Sequence, residues 1–238
     1  MKIESLSNSR VKEWEKLKTK KYRDETGLFL IEGEHLIKEA EKKKVIKEII
    51  SYKEQEEADF YVTEQIMKKL SSQVSISNRI AICYKLEEEP LKDKILILDN
   101  IQDPGNLGTM IRSALAFDFQ DIVIGTDTVD LYNEKVIRAS EGMLFHINVV
   151  RKDLKDFLNK IKNDYQILIT DVRKGKNIKD ISIQKKVALI IGNEGNGVKE
   201  ELKKYATSFI KINMNESVES LNAGVAASIL MYELYERK

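Results

Sequence analysis

Three short stretches carry the residue types that hold ligands or move protons. The first runs from Asp99 to Arg112 and reads Asp-Asn-Ile-Gln-Asp-Pro-Gly-Asn-Leu-Gly-Thr-Met-Ile-Arg. Pro104 and Gly105 predict a tight turn, with a helix beginning near Asn106. Gly108 and Arg112 are one helical turn apart, so Arg112 projects from the first turns of that helix, where its planar fork can grip a phosphate. Taken alone, the stretch reads equally as an Asx-type turn followed by a surface arginine. The second stretch, Gly192-Asn193-Glu194-Gly195-Asn196-Gly197, places three glycines in six residues between an apolar strand and a helix. Its backbone amides can approach a ligand with no side chain between, which points to a nucleotide-like cofactor, or else to a buried turn. It is neither G-x-G-x-x-G nor a P-loop, and the missing Gly-Lys-Ser/Thr ending argues against an NTP. The third stretch, Ile212 to Ala227, leaves a strand and enters a helix capped by Ser220 or Asn222. Ala223, Gly224, Ala226 and Ala227 permit close backbone packing, as in a dimer seam, a threaded chain or an ordinary buried terminal helix.

Those stretches need a scaffold to bring them together. Pro90 lies in a charged segment without periodicity, which reads as a linker at 89–93 between a first domain, 1–88, and a second, 94–238. In the first, Ser7 or Asn8 caps a helix with Val11, Trp14 and Leu17 on one face, and Leu28–Ile31 is a strand. A helix carrying Leu36, Ile37 and Ala40, a strand at Val45–Ile50, a helix at Thr63–Leu70 and a strand at Ile80–Tyr84 complete it. In the second, strand candidates are Ile95–Leu98, Ile122–Ile124, Ile147–Val150, Ile167–Thr170, Val187–Ile191 and Ser208–Ile212. Helix candidates are Asn106–Phe117, Asn133–Ser140, Leu154–Lys162, Val198–Tyr205 and Leu221–Glu236. Apolar strands alternating with helices predict an α/β fold with a mostly parallel sheet covered on both faces. Ligands bind such sheets beyond the carboxyl ends of the strands, where all three stretches fall.

Composition sets the outer bounds. The chain has 238 residues, 42% of them hydrophobic and 33% charged, a balance that suits a globular domain and argues against disorder. The apolar runs are too short to span a bilayer, the N-terminus lacks a secretory core, and a single cysteine, Cys83, allows no internal disulfide or cysteine-based metal site. The expected setting is the cytoplasm, with no membrane and no metal. Net charge is +1, yet Met1–Arg23 holds eight basic residues against three acidic ones. Arg10, Lys20, Lys21 and Arg23 in that cluster are candidate phosphate contacts, the alternative being a solvated helix face.

In this order, the three stretches resemble the SpoU (TrmH-like) family of RNA ribose 2′-O-methyltransferases, within the SPOUT superfamily. The match reads D-N-x-x-D-P-x-N-x-G-x-x-x-R, then I-G-N-E-G-x-G, then I-x-M-x-x-x-x-x-S-L-N-x-x-x-A-A, and spans Ile95 to Lys238. The first domain is similar, more loosely, to the family's ribosomal-protein-L30e-like substrate-binding domain through G-L-F-L-I-E-G-E-H-L-I-K-E at Gly27–Glu39. The resemblance implies a C-terminal trefoil knot, an exception to the rule that chains avoid knots, and a homodimer. It implies S-adenosylmethionine as cofactor, held by Thr170, Gly192, Asn193, Gly195, Ile212, Met214 and Leu221. Around the reacting ribose it places Asn106, Arg112, Glu194, Ser220 and Asn222 as catalytic residues. The substrate it implies is structured RNA, ribosomal more than transfer RNA. Two positions depart from the family pattern: Asn213 stands where proline is common, and Ala223 where valine is. They bear on loop rigidity and helix packing and remove no reactive group.

Methyl transfer to a hydroxyl requires the oxygen in line with the methyl group and a route for its proton. Arg112 would lose its own proton in a shielded site and act as base, or would clamp the adjacent phosphate and stabilise oxyanion charge. His35 and His146 lie outside the three stretches and read as structural or exposed. Two other readings compete: an RNA-binding protein of the same fold without turnover, and a nicotinamide-dependent oxidoreductase. The latter needs an early G-x-G-x-x-G, whereas the glycine stretch here is late.

Overall fold

Runs such as Ile95–Leu98 and Val187–Ile191 have no polar face, and strands of that kind must be covered on both sides. The helices of the same half carry apolar residues three and four apart, which supplies the cover. In the computed structural model, which describes every residue except Val74, Glu216 and Lys238, the chain separates into two units. The first is Met1–Glu87 with Asp130–Phe145, and the second is Glu88–Val129 with His146–Lys238.

The first unit contains β1 (Lys2–Ile3), α1 (Ser9–Lys16), α2 (Lys20–Thr26), β2 (Leu28–Glu32), α3 (Glu34–Lys43), β3 (Ile46–Ser51), β4 (Phe60–Val62), α4 (Glu64–Leu70) and β5 (Arg79–Tyr84). Among the described residues its sheet runs β1-β4-β3-β5-β2, with β5 antiparallel to both neighbours and the other pairs parallel. Asn8 caps α1 by accepting the Arg10 N–H, which turns Val11 and Trp14 inward against Phe60, Ile66, Met67, Ile80 and Ile82. Helix α2, of sequence Lys-Lys-Tyr-Arg-Asp-Glu-Thr, has no apolar period and was not expected; it ends where Gly27 takes a left-handed φ of 67°.

The second unit contains β6 (Lys94–Leu98), α5 (Pro104–Ala116) and β7 (Asp121–Gly125); α6 (Glu134–Ala139) follows but belongs to the first unit. It resumes with β8 (Asn148–Lys152), α7 (Leu154–Ile161), β9 (Gln166–Thr170), β10 (Lys176–Asn177), β11 (Val187–Ile191), α8 (Glu200–Lys203), β12 (Ser208–Lys211) and α9 (Ala223–Tyr235). Among the described residues the sheet runs β10-β12-β9-β11-β6-β7-β8, and every pair is parallel. Ile95, Ile97, Ile167, Ile169, Ala188 and Ile190 pack with Leu154, Phe157, Leu158 and Ile161 of α7 on one face. Alternate residues such as Leu96, Leu98, Ile122 and Leu189 are equally buried, and α5 packs on β7 and on α9.

Helix α8 is half the length expected. Val198–Tyr205 is helical only over Glu200–Lys203, because Lys199 is its N-cap and Val198 belongs to the preceding loop.

Candidate cofactor cavity and catalytic loops

Parallel strands present their carboxyl ends at one edge, and the register pairs Leu98 with Ile191, Ile190 with Ile169, and Ile210 with Thr170. The three stretches leave from that edge. Asp103 caps α5, its Oδ1 accepting the Asn106 N–H at 2.8 Å, and Pro104 takes the first helical position, where no N–H is needed. The helix therefore begins two residues earlier than the turn chemistry predicted, and Asn106 sits buried in its first turn.

Asn106 is the meeting point. Its Nδ2 donates to Glu194 Oε1 at 2.7 Å, and its Oδ1 accepts from Asn222 Nδ2 at 2.9 Å. Asn222 in turn caps α9, its Oδ1 accepting the N–H groups of Gly224 (3.0 Å) and Val225 (3.2 Å). One amide thus ties the first loop to the second and the third. The small residues of α9 permit this approach: a side chain at Gly224 would begin 3.3 Å from Asn106 Oδ1 and 3.5 Å from Thr109 Cβ. The small-residue stripe is used at least partly within the chain, against α5.

The second loop closes on itself. The backbones of Asn193 and Gly197 exchange N–H···O bonds of 3.0 and 2.9 Å, while Asn193 Oδ1 accepts the N–H groups of Gly195 and Asn196. Gly197 takes a φ of +67°, and a Cβ on Gly192 would lie 2.1 Å from the Gly197 carbonyl carbon, so no side chain fits there.

Beyond the ends of β9, β11 and β12 lies a cavity of about 800 Å³. Thr170, Gly192, Asn193, Gly195, Ile212, Met214 and Leu221 all line it, as do Glu194 and Ser220. Thr170 Oγ1 is tied to the Ile190 carbonyl at 3.1 Å. Asp171, Val172 and Arg173 also line it, and sequence reasoning missed them because they lie in a polar segment without a glycine signature. Glu216 of the third loop lies outside the described residues. Ile191, Ile210, Ile212, Leu221, Ala223 and Leu230 supply an apolar lining and the glycine loop supplies backbone groups, a combination and size suited to a nucleoside-bearing cofactor.

Arg112 is exposed on α5, is not among the cavity-lining residues, and has no hydrogen bond or ion pair among the described residues. The structure does not bring it to Asn106, Glu194 and Asn222 within one chain.

The basic cluster of the first unit needs a correction. Arg23 is 4% exposed; its Nη2 and Nε bond Asp130 Oδ2 at 2.6 and 3.1 Å, and its Nη1 bonds the Leu17 carbonyl at 2.8 Å. A guanidinium so enclosed offers no donor to a phosphate. Arg10 bonds Glu48 at 3.0 Å and lies over the Phe60 ring, and Lys20 bonds Asp24 at 2.6 Å. Lys21 is the most open of the four, its side chain 87% exposed and 3.9 Å from Glu25. His35 is held at the Glu141 carbonyl, 3.1 Å away. Among the described residues no group of His, Cys, Asp and Glu is arranged to hold a metal ion, and no helix is long and apolar enough to cross a membrane.

Residues 93–232 match the SpoU rRNA Methylase family, and residues 8–81 match the MRM3-like substrate binding domain. The chain is 37% identical to the 23S rRNA (guanosine(2553)-2′-O)-methyltransferase RlmP of Bacillus subtilis (strain 168), over 98% of each chain. Among solved structures it is similar to the AdoMet-bound rRNA methyltransferase from Sinorhizobium meliloti, with a TM-score of 0.90 and 27% identity over 100% of this chain and 98% of that one. The SpoU methyltransferase AviRb from Streptomyces viridochromogenes, in complex with AdoMet, shares the fold at a TM-score of 0.87 and 22% identity, over 97% and 98% of the two chains. With the matched span covering the parallel sheet, the cavity and the three joined loops, the chain belongs to the SpoU rRNA methylase family.

Proposed function

We propose that this protein transfers a methyl group from S-adenosylmethionine to a ribose 2′-hydroxyl of structured RNA. Its substrate on this reading is 23S-type ribosomal RNA rather than transfer RNA, in keeping with the Bacillus subtilis relative. The observation that carries the reading is Asn106, whose amide joins Glu194 on the cavity wall to Asn222 at the start of α9.

The cavity residues named above would hold the cofactor, the glycine loop through its backbone and Ile212 and Leu221 through apolar contact. When bound, S-adenosylmethionine supplies an electrophilic methyl group on a sulfonium, which leaves as a neutral thioether. The chain's own task is to hold the 2′-oxygen in line and receive its proton. Asn106 and Asn222 present oriented amides, and Ser220 a hydroxyl, beside the carboxylate of Glu194. Guanidinium groups ordinarily keep their protons, and Arg112 has its whole fork open, which favours the phosphate clamp over the base. Finer readings follow. The protein works as a cytoplasmic homodimer, its α9 presenting Val225 and Tyr232, each 47% exposed, to a second copy. The late strand β11 lying beside β6, the first strand of the sheet, supports a threaded trefoil knot. The first unit acts as an L30e-like RNA-docking domain.

The test is incubation with radiolabelled S-adenosylmethionine and total RNA from a strain lacking the gene, followed by nuclease digestion and nucleoside analysis. Label is expected in a 2′-O-methylnucleoside from RNA of 23S size, and is expected to vanish with Arg112→Ala. Near-normal turnover by Arg112→Lys refutes the two-pronged clamp. Cofactor binding without any label refutes the enzyme reading in favour of an RNA-binding protein.

A further inference from the structure

The exit of β6 does more than start the loop that carries Asn106. Asp99, the first residue past the strand, is 1% exposed, and its Oδ2 accepts the backbone N–H of Lys199 at 2.7 Å. Its neighbour Asn100 stands in the left-handed region at φ 57°, with its carbonyl accepting Asn193 Nδ2 at 3.0 Å. Asn193 and Lys199 are the two ends of the glycine loop, so consecutive residues of one strand exit grip both. The grip extends to the loop after β7: Lys199 Nζ bonds Asp127 Oδ2 at 2.7 Å and stands 3.8 Å from Asp99 Oδ1.

A buried carboxylate is costly unless it is paired and hydrogen-bonded. Burial pushes the Asp99 carboxyl up, the Lys199 N–H and ammonium pull it down, and Asp127 and Glu201 add repulsion. The acid therefore sits where it burdens the fold, at the point where it can hold the far end of the loop. Between the two grips the loop has two glycines, Gly195 and Gly197; the Asn193–Gly197 bridge and the Asn106–Glu194 bond hold its first part, and the Asp99–Lys199 bond holds its exit.

We propose that Asp99 is a positioning residue for the cofactor, holding the glycine loop through Lys199 in the shape that lines the cavity. The proposal rests on the reading of that cavity as the S-adenosylmethionine site. A loop released at Lys199 must be ordered again by each cofactor that binds, so the cost falls on affinity and not on the chemical step.

The test compares Asp99→Ala and the near-isosteric Asp99→Asn with wild type in the full chain. S-adenosylmethionine affinity is measured by calorimetry, with KM and kcat, thermal unfolding, and amide exchange over residues 193–199. For Asp99→Ala the Kd and KM for S-adenosylmethionine are expected to rise about tenfold, as for one lost hydrogen bond to a charged acceptor, with kcat at saturating cofactor far less changed. Asp99→Asn still offers Lys199 an acceptor and recovers most of the affinity. Should Asp99→Ala not fold, Asp99→Asn carries the test: its 193–199 amides exchange faster than in wild type. Unchanged affinity in folded Asp99→Ala, a fall in kcat alone, or unchanged loop exchange in Asp99→Asn overturns the proposal. Wild type that binds no S-adenosylmethionine defeats the functional reading instead, and the exchange comparison then still decides whether Asp99 holds the loop.

Discussion

The two units use polar side chains in opposite ways. In the first, charged groups brace the fold: Glu48 accepts from Arg10 and from Trp14 Nε1 at 3.0 Å each, Lys18 Nζ reaches the Lys69 and Ser71 carbonyls at the end of α4, and Arg23 locks Asp130. In the second, the sheet is apolar on both faces apart from a few buried polar groups such as the Asp121–Asn148 pair between β7 and β8, and the polar contacts at its carboxyl edge join loops. Asn106, Asn193, Asn222 and Asp99 each connect two segments that leave different strands. A cluster of like charge in sequence therefore carried less information about function than four uncharged or acidic residues spread over 124 positions of one edge, Asp99 to Asn222.

That contrast puts the largest single effect on stability in the first unit. Arg23→Ala leaves Asp130, its side chain only 13% exposed, without its partner and is expected to cost about 3 kcal/mol in thermal or denaturant unfolding, with cofactor affinity in the surviving folded protein unchanged. The Arg23→Ala/Asp130→Ala pair should recover part of it, and a strictly additive cycle would show that the pair is not coupled. The second unit is expected to break in the reverse sense. Gly192→Ala forces a Cβ into the Gly197 backbone and should weaken S-adenosylmethionine binding by roughly a hundredfold or more; wild-type affinity there would remove the glycine loop from the site. Asn106→Ala is expected to lower kcat roughly 10- to 100-fold while the melting temperature moves little, and a loss of stability without a loss of rate would make the three-loop junction structural. The smallest effect sharpens the comparison. Lys21→Ala, at an exposed side chain, should leave stability within about 0.5 kcal/mol and lower the salt slope of RNA binding by about one. An unchanged slope would remove Lys21, the most open of the four candidate contacts, from the interface.

Much of the scaffold was legible because strong periodicity survives folding. Val187–Ile191 is the strand expected, and Leu154–Ile161 the helix expected to one residue. Strands of two or three residues (β1, β4 and β10) were not seen, since they are too short to show a period. Helix α2 escaped for a different reason: it is nearly all polar and is ordered by Arg23, whose partner Asp130 lies 107 residues away. The same distance hides the return of Asp130–Phe145 to the first unit, where Phe29 meets Tyr132 at 4.5 Å and Phe145 at 6.4 Å between ring centres. A cut at Pro90 would strip that segment of its partners.

From the residues alone came the α/β alternation, the late glycine loop and the three stretches able to carry chemistry, because period, glycine spacing and capping chemistry are local properties of the chain; the roles of single residues came from the family resemblance. Only the tertiary structure decided that Asn106 would touch both Glu194 and Asn222, that Arg23 would be enclosed and Arg112 exposed, and that Asp99 would hold the loop at Lys199. Those are contacts between segments about 90 to 120 residues apart, set by strand order and register, and no local signal in a single sequence encodes which strand lies beside which.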